Sequence, residues 1–528
     1  MESAVDPKEK FIRYYFYLYL AVIFLHLAFN LQGSSATLYT YFLIAGLMGV
    51  ATIALPLRHS LPFMFFFLIF EGQGRILTGY NPFFRIVFDL YLAIIILKNL
   101  VKVRILFPKD KLPLLIYTLF IMHFAWWTIE IFNPRGANVF ASLATSKFYI
   151  FPIVLFLGIL SSDLRVESKE FQNYLFWYFI VLFIGIILCG VQMNFGADFM
   201  HGISPNYSYL FKKYQAYSGK LFRPWGTTHI PGGYSGILCY VVGFIFMFRS
   251  SDDMGVSLSK RKVRIRYVIY IIFILASWYT MLISQVRTLF IQNLMITILC
   301  ILLRVWGSKA KSKTILALTV GTLISVGVSS LFLNNLTDFS DKFQLANSIV
   351  RIEQLDKTGI MSKRASPSTV LDKLSSDMEI PFGWGPGMTT TFLPAFVEAQ
   401  KKRWDLKRYQ FWALDNFYVF ALLELGLGGI FIILISFFIP AFIFKYMVKL
   451  KGVQEENSLS SMAPALAVGI VVIIANWGAV LLPFNPASFF YWFYVAIAMK
   501  EYNRMVTKYP QFETSANRVE DQALPPAL

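Results

Sequence analysis

Apolar blocks succeed one another along this chain, separated by short polar interruptions. Phe11–Asn30, Leu38–Leu57, Leu112–Phe132 and Tyr174–Met193 are each close to the roughly 20 residues a helix needs to cross a bilayer core. Backbone N–H and C=O groups in lipid must pair within their own segment, so repeated long blocks predict helices. The ten-residue alternation of a membrane β-barrel is absent. Read from a cytoplasmic N-terminus, the pattern predicts helices near 12–30, 37–56, 61–78, 82–98, 112–132, 147–160, 172–192, 232–249, 266–284, 288–304, 314–333, 414–444, 462–482 and 487–500. The least regular are 61–78, which contains Glu71, Gly72 and Arg75, and 414–444, which is longer than one crossing requires.

The predicted fold is all-α: a polytopic transmembrane helix bundle of about 12–14 helices with a large extracytoplasmic loop that contains short helices. It divides into N-terminal helices (1–193), an extracytoplasmic loop (194–231), central helices (232–333), the large loop (334–413), C-terminal helices (414–500) and a polar cytoplasmic tail (501–528) expected to be disordered. Structureless loops as long as 334–413 are uncommon. This one has helical spacing over Ser348–Leu355 and Ser368–Leu374, and a Gly/Pro turn cluster over Pro381–Gly387, so order is expected. The basic loop Arg249–Arg266 is placed against anionic headgroups. No internal repeat is visible, which weighs against transporter folds built from two related halves. The N-terminus lacks a small-residue cleavage site and reads as an uncleaved first helix.

Composition sharpens this reading. The chain has 528 residues, 57% hydrophobic and only 15% charged, against about 25% charged in soluble proteins. Soluble domains of this length would need a polar surface that is missing. A net charge of +18 would point to nucleic acid in a soluble protein. Here Lys and Arg concentrate in the segments assigned to the cytoplasm and thin out in the short outer loops, as the positive-inside rule demands. The charge records topology, and nucleic acid is not an expected partner. Cys189, Cys239 and Cys300 all fall in predicted spans and read as small buried apolar residues. No Cys/His spacing points to a metal.

The informative polar residues gather on the outer side. Arg223 and His229 flank Pro224, Trp225 and Gly226 at the mouth of a helix, where an N-terminus favours anions. The plainer reading is a surface arginine among headgroups. Arg287 follows Ser284 in a hairpin so short that it sits near the membrane boundary, costly unless paired or functional. The alternative is an arginine snorkelling to the interface. Asp415 and Asn416 open a helix and suit its N-cap. Glu424 lies about two and a half turns deeper and needs a partner. Arg364 alone reads as a loop charge. Arg85 with Asp89, and Glu71 with Arg75, are spaced to pair along one helix face. His26, His59, His123 and His201 read as satisfied polar residues.

This ordered set resembles the bacterial O-antigen ligase and polysaccharide polymerase family, multi-helix enzymes of the C-type glycosyltransferase superfamily. The residues that carry the resemblance are Arg223 with Gly226 and His229, then Ser284-x-x-Arg287-Thr288, then Arg364 ahead of Pro381–Gly387, then Asp415-Asn416-x-Tyr418 with Glu424, Gly426 and Gly429. It covers about Arg223 to Gly429; the first 190 residues match only as generic membrane helices. The family typically has His-Asn where this chain has Asp415-Asn416. A carboxylate can do the work of that histidine if it is ionised and close to the acceptor hydroxyl.

The resemblance implies a metal-independent glycosyltransferase in a bacterial inner membrane, with both termini cytoplasmic and the site extracytoplasmic. The donor would be a polyprenyl-diphosphate-linked oligosaccharide and the acceptor a growing glycan or a lipid. Membrane lipids would surround it, and a flippase and a chain-length regulator would work beside it. Arg223 and Arg287 would hold the diphosphate, because guanidinium matches phosphate geometry and keeps its charge; Arg364 is a third candidate. Asp415 would take the hydroxyl proton. His229, Asn416, Tyr418, Trp384, Gly385 and Gly387 would line the substrate, Glu424 would buttress the site, and Trp225 or Trp384 could stack on sugar rings. No cofactor is implied. A ligase moving glycan onto lipid A-core shares this donor chemistry. A lipid-linked sugar flippase is the alternative from another class, and a non-catalytic scaffold a third.

Overall fold

The computed structural model describes residues 7–102, 114–134, 139–145, 149–166, 168–213, 217–218, 221–241, 260–284, 381–387, 417–450 and 487–508. The predicted helices 288–304, 314–333 and 462–482, and the large loop apart from Pro381–Gly387, lie outside the described residues.

The described chain is mostly helical. Helices α1 (Pro7–Leu31), α2 (Thr37–Ala54), α3 (Leu57–Leu77) and α4 (Pro82–Lys102) follow one another through short turns. Next come α5 (Leu114–Glu130), the short α6 (Val139–Ala144), α7 (Phe151–Ser161), the long α8 (Lys169–Ile203) and α9 (Asn206–Lys213). A helix over 233–241 is α10. The rest are α11 (Lys260–Ser284), α12 (Phe417–Leu425), α13 (Gly428–Leu450) and α14 (Ala487–Lys508). Four of these, α1, α2, α3 and α8, are long and apolar enough to cross a membrane.

Helix α3 is the hub. Almost every residue on it is buried, and it packs against α2, α4 and α8. Its Phe63, Phe65 and Phe66 meet Tyr15, Phe16 and Tyr19 of α1, Tyr174 and Tyr178 of α8, and Phe490 of α14. The outer helices are apolar on both faces. On α1, Phe16, Ile23 and Leu27 point inward while Tyr14, Leu18 and Leu25 are exposed; on α2, Ile44, Met48 and Ala51 oppose exposed Leu43, Val50 and Ile53. A helix that is apolar all round needs an apolar surrounding on its outer face as well.

Helix ends leave carbonyls without intrahelical partners, and here long cations satisfy several. Lys98 Nζ donates to Thr52, Ile53 and Leu55 carbonyls at the end of α2, at 3.1, 2.8 and 2.5 Å. Lys500 Nζ donates to the Ser162 and Leu164 carbonyls beyond α7, at 2.5 and 2.6 Å. Arg58 faces Asp163 at 3.6 Å, and His59 bonds the Tyr174 hydroxyl at 3.0 Å. These contacts collect the end of α2, the start of α3, the start of α8, the ends of α4 and α7 and the second half of α14 at one end of the molecule.

Four expectations change, the first being the polar tail expected to be disordered from 501, which is still helix α14 as far as Lys508. The span near 172–192 ends in a break at Gly196 (φ 69, ψ −146), and a second helical piece of α8 runs on to Ile203, with Met200 and Ile203 facing the core. What the hydrophobic pattern makes a loop over 194–231 therefore begins as helix, continues into α9, and only then turns. The turn is a two-stranded antiparallel hairpin, β1 (Tyr217–Ser218) with β2 (Leu221–Phe222), so the described fold is not purely helical. The stretch 414–444 is two helices rather than one: Gly426, in the left-handed region at φ 55, stops α12, and α13 restarts at Gly428.

Glu71 and Arg75 pair across one turn of α3. The side chain of Arg85, proposed to pair with Asp89, lies outside the described residues. His26 bonds Thr40 Oγ1 and Gln73 Oε1 at 2.8 and 3.1 Å, and His201 bonds Ser208 Oγ at 2.7 Å. Cys189 and Cys239 are buried free thiols, and Cys300 lies outside the described residues.

Candidate functional site

The residues singled out in sequence fall into two assemblies. The first is the segment 223–232. Gly232 N–H donates to the Pro224 carbonyl at 2.9 Å and closes it into a loop. Two apolar helices grip this loop by polar atoms. Gln192, fully buried in α8, accepts from Trp225 N–H and Gly226 N–H at 2.9 and 2.8 Å and donates from Nε2 to the Gly226 carbonyl at 2.8 Å. Thr227 holds the other side: its hydroxyl donates to the Ile69 carbonyl at 2.7 Å, while its carbonyl accepts from Gln73 N–H at 3.1 Å. Ile69 and Gln73 are the two groups that pair across one turn of an α-helix. Thr227 thus inserts into the backbone ladder of α3.

Glycine makes both approaches possible. Gly226 has φ +59, and a Cβ there would fall 2.6 Å from the Tyr234 ring. A Cβ on Gly72 would come 2.7 Å from the His229 nitrogen, so His229 lies directly over α3. Trp225 is fully buried against Tyr207 and Phe211, with ring centroids 5.6 and 6.0 Å away; it packs the loop and offers no open face to a sugar.

Arg223 stands at the mouth of this loop, half-buried. Its Nε donates to the carbonyl of Ser284, the last residue of α11, at 3.2 Å. A cation at a helix C-terminus meets the negative end of the dipole. Burial lowers the pKa of this guanidinium, which nonetheless stays protonated at any physiological pH. That desolvation strengthens its field toward an anion. The same hydrogen bond ties the Arg223 motif to the Ser284-x-x-Arg287 motif.

The second assembly is the end of α12. Its last four carbonyls have four donors. Gly426 N–H reaches Leu422 at 2.9 Å, Trp384 N–H reaches Leu423 at 2.8 Å, Gly385 N–H reaches Glu424 at 3.0 Å, and Trp126 Nε1–H of α5 reaches Leu425 at 2.9 Å. The turn Pro381–Gly387 is therefore the cap of a broken helix. It is anchored further by Ser142, which donates to the Pro386 carbonyl at 3.1 Å, and by Phe382 stacked on Trp126 at 5.7 Å. Asn133 joins the Glu130 carboxylate at 2.7 Å to the Phe382 carbonyl at 3.4 Å. Glu424 has the partner its depth requires: the Tyr149 hydroxyl donates to its Oε2 at 2.9 Å, with both residues fully buried. His123 Nε2–H in turn donates to the Tyr149 carbonyl at 3.2 Å.

Of the residues nominated from sequence, Arg223 and His229 sit in the first assembly, and Trp384, Gly385, Gly387 and Glu424 in the second. Trp384 is buried, and the N–H groups of Trp384 and Gly385 are engaged by α12. Tyr418 lies on α12, with its side chain outside the described residues. Arg287, Arg364, Asp415 and Asn416 lie outside the described residues. Sequence reasoning passed over Gln192, Thr227, Glu130 and Tyr149. Gln192 and Glu130 carried a signal, a polar residue inside an apolar block; Tyr149 and Thr227 carried none.

Among the described residues, no group of three or more His, Cys, Asp or Glu is placed to hold a metal. No family model matches the sequence. No curated protein matches it either.

Proposed function

We propose that this chain is a membrane glycosyltransferase that joins polyprenyl-diphosphate-linked repeat units into a surface polysaccharide on the extracytoplasmic face of a bacterial inner membrane. The observation that carries the reading is the Arg223–Ser284 hydrogen bond. It brings together two arginine-bearing segments far apart in sequence, with Arg287 three residues beyond the carbonyl that Arg223 holds. Lys98, Lys500 and Arg58 cluster at the other end of the bundle, as expected of a cytoplasmic end.

The chemistry follows from charge. A sugar hydroxyl on the acceptor attacks the anomeric carbon of the donor, the C–O bond to the diphosphate breaks, and polyprenyl diphosphate leaves with the electron pair. Negative charge grows on phosphate oxygens, where the partly desolvated guanidinium of Arg223 stabilises it strongly, with Arg287 as the second cation. The hydroxyl proton goes to Asp415. Glu424 and the Pro381–Gly387 cap fix the end of α12, the helix that Asp415 and Asn416 precede.

The test is a reconstituted assay: purified protein, a polyprenyl-diphosphate-linked oligosaccharide, and products separated by size, for wild type and Arg287→Ala. A ladder of longer lipid-linked glycans, lost in the variant, is the expected result. Transfer of preformed glycan to lipid A-core without a ladder would mark a ligase. Transbilayer movement of the donor without transfer would replace the reading with a flippase.

A further inference from the structure

We infer that Gln192 is a positioning residue for the donor diphosphate: it sets Arg223 by clamping the backbone of Trp225 and Gly226, and this inference rests on the glycosyltransferase reading above. An amide side chain offers two donor hydrogens and two acceptor lone pairs. Gln192 spends three of these four on two consecutive residues of one loop, two as acceptor and one as donor, at 2.8–2.9 Å. A residue needed only to fill space in an apolar helix would be Leu or Met; a polar amide inside such a block is costly unless it is satisfied this fully.

The clamp acts at a distance of two residues from Arg223, and the link is stiff. Pro224 fixes its own φ, and its carbonyl is held by Gly232 N–H. Thr227 fixes the far side of the loop on α3. A shift of the Trp225–Gly226 backbone is therefore passed on through Pro224 to the backbone of Arg223. Gly226 is held by both its N–H and its C=O in a left-handed conformation, which a loop left to itself would exchange for others.

Three variants separate the roles of the amide. Gln192→Leu removes all three hydrogen bonds. Gln192→Glu keeps the acceptor for the two N–H groups and sets a carboxylate oxygen against the Gly226 carbonyl. Gln192→Asn keeps every group and withdraws it by one methylene.

The experiment uses the full chain in lipid nanodiscs, with hydrogen exchange on peptides spanning 223–232 and transfer kinetics on polyprenyl-diphosphate-linked oligosaccharide. Gln192→Leu is expected to speed exchange at Trp225 and Gly226 by about tenfold or more, with peptides from α1 and α2 unchanged. It is also expected to lower kcat/KM for the donor by about tenfold or more, with Gln192→Glu and Gln192→Asn between Leu and wild type. The deciding readout is the cycle with Arg223→Ala. If Gln192 acts through Arg223, Gln192→Leu costs far less in the Arg223→Ala background. Additive losses, or unchanged exchange at 225–226, overturn the inference. A wild-type protein that transfers no donor overturns the functional reading instead, and the clamp then stands or falls on exchange alone.

Discussion

The Tyr149–Glu424 hydrogen bond is the contact on which the second assembly can be tested quantitatively. Tyr149→Phe removes one hydroxyl and leaves the ring, its packing near His123 and the His123–Tyr149 backbone bond in place. The lost bond runs to a carboxylate at 2.9 Å between two fully buried residues. With Glu424 ionised, such a bond contributes about 1.5–3 kcal/mol net, against about 1 kcal/mol for a neutral pair. Tyr149→Phe should therefore destabilise the fold by about 2–3 kcal/mol. In a Glu424→Gln background the partner is a neutral amide oxygen, and the same change should cost only about 1 kcal/mol. The cycle predicts a coupling of about 1–2 kcal/mol. Equilibrium unfolding in mixed lipid–detergent micelles, followed by tryptophan fluorescence, measures all four proteins. Effects that add to within about 0.5 kcal/mol would refute the reasoning, since residues that do not touch behave that way.

Further outcomes follow from the same geometry. Gly226→Ala should cost about 1–3 kcal/mol from backbone strain alone, plus the collision with Tyr234, and should appear as a loss of folded protein on size exclusion. Trp126→Phe leaves the Leu425 carbonyl without its indole donor and should cost about 1–3 kcal/mol, read as faster exchange in α12 and the Pro381–Gly387 turn. Lys98→Met removes the donor to three carbonyls at the end of α2 and should lower thermal stability while transfer by the surviving folded protein is unchanged. Arg223→Lys keeps the charge but not the guanidinium fork; transfer should fall by about tenfold or more while the lost Nε bond to Ser284 costs stability only about 1 kcal/mol, and equal turnover would remove Arg223 from the donor site.

The sequence by itself determined the helical character of the described residues and the place of most of their helices, because a backbone in an apolar surrounding has one local solution and the lengths of the apolar blocks announce it. The ends of α1, α2, α3 and α5 lie within a few residues of where the hydrophobic pattern starts and stops. It also determined which opposite charges pair along a helix: Glu71 with Arg75 is a matter of spacing on one face. Tertiary structure decided what a one-dimensional pattern cannot carry. Residues 194–203 read as loop because they are only half apolar, yet Met200 and Ile203 have a core to face, and after the break at Gly196 the chain is helical again. The stretch after Phe417 reads as one long helix because Gly426 is a single weak interruption; the break exists because Trp384, Gly385 and Trp126, distant in sequence, supply the donors that make the end of α12 tolerable in an apolar setting. The roles of Gln192 and Thr227 stayed out of sight for the same reason. Their partners are loop backbone and helix carbonyls, groups that every residue has and no sequence pattern labels, so only the folded chain shows which of them meet.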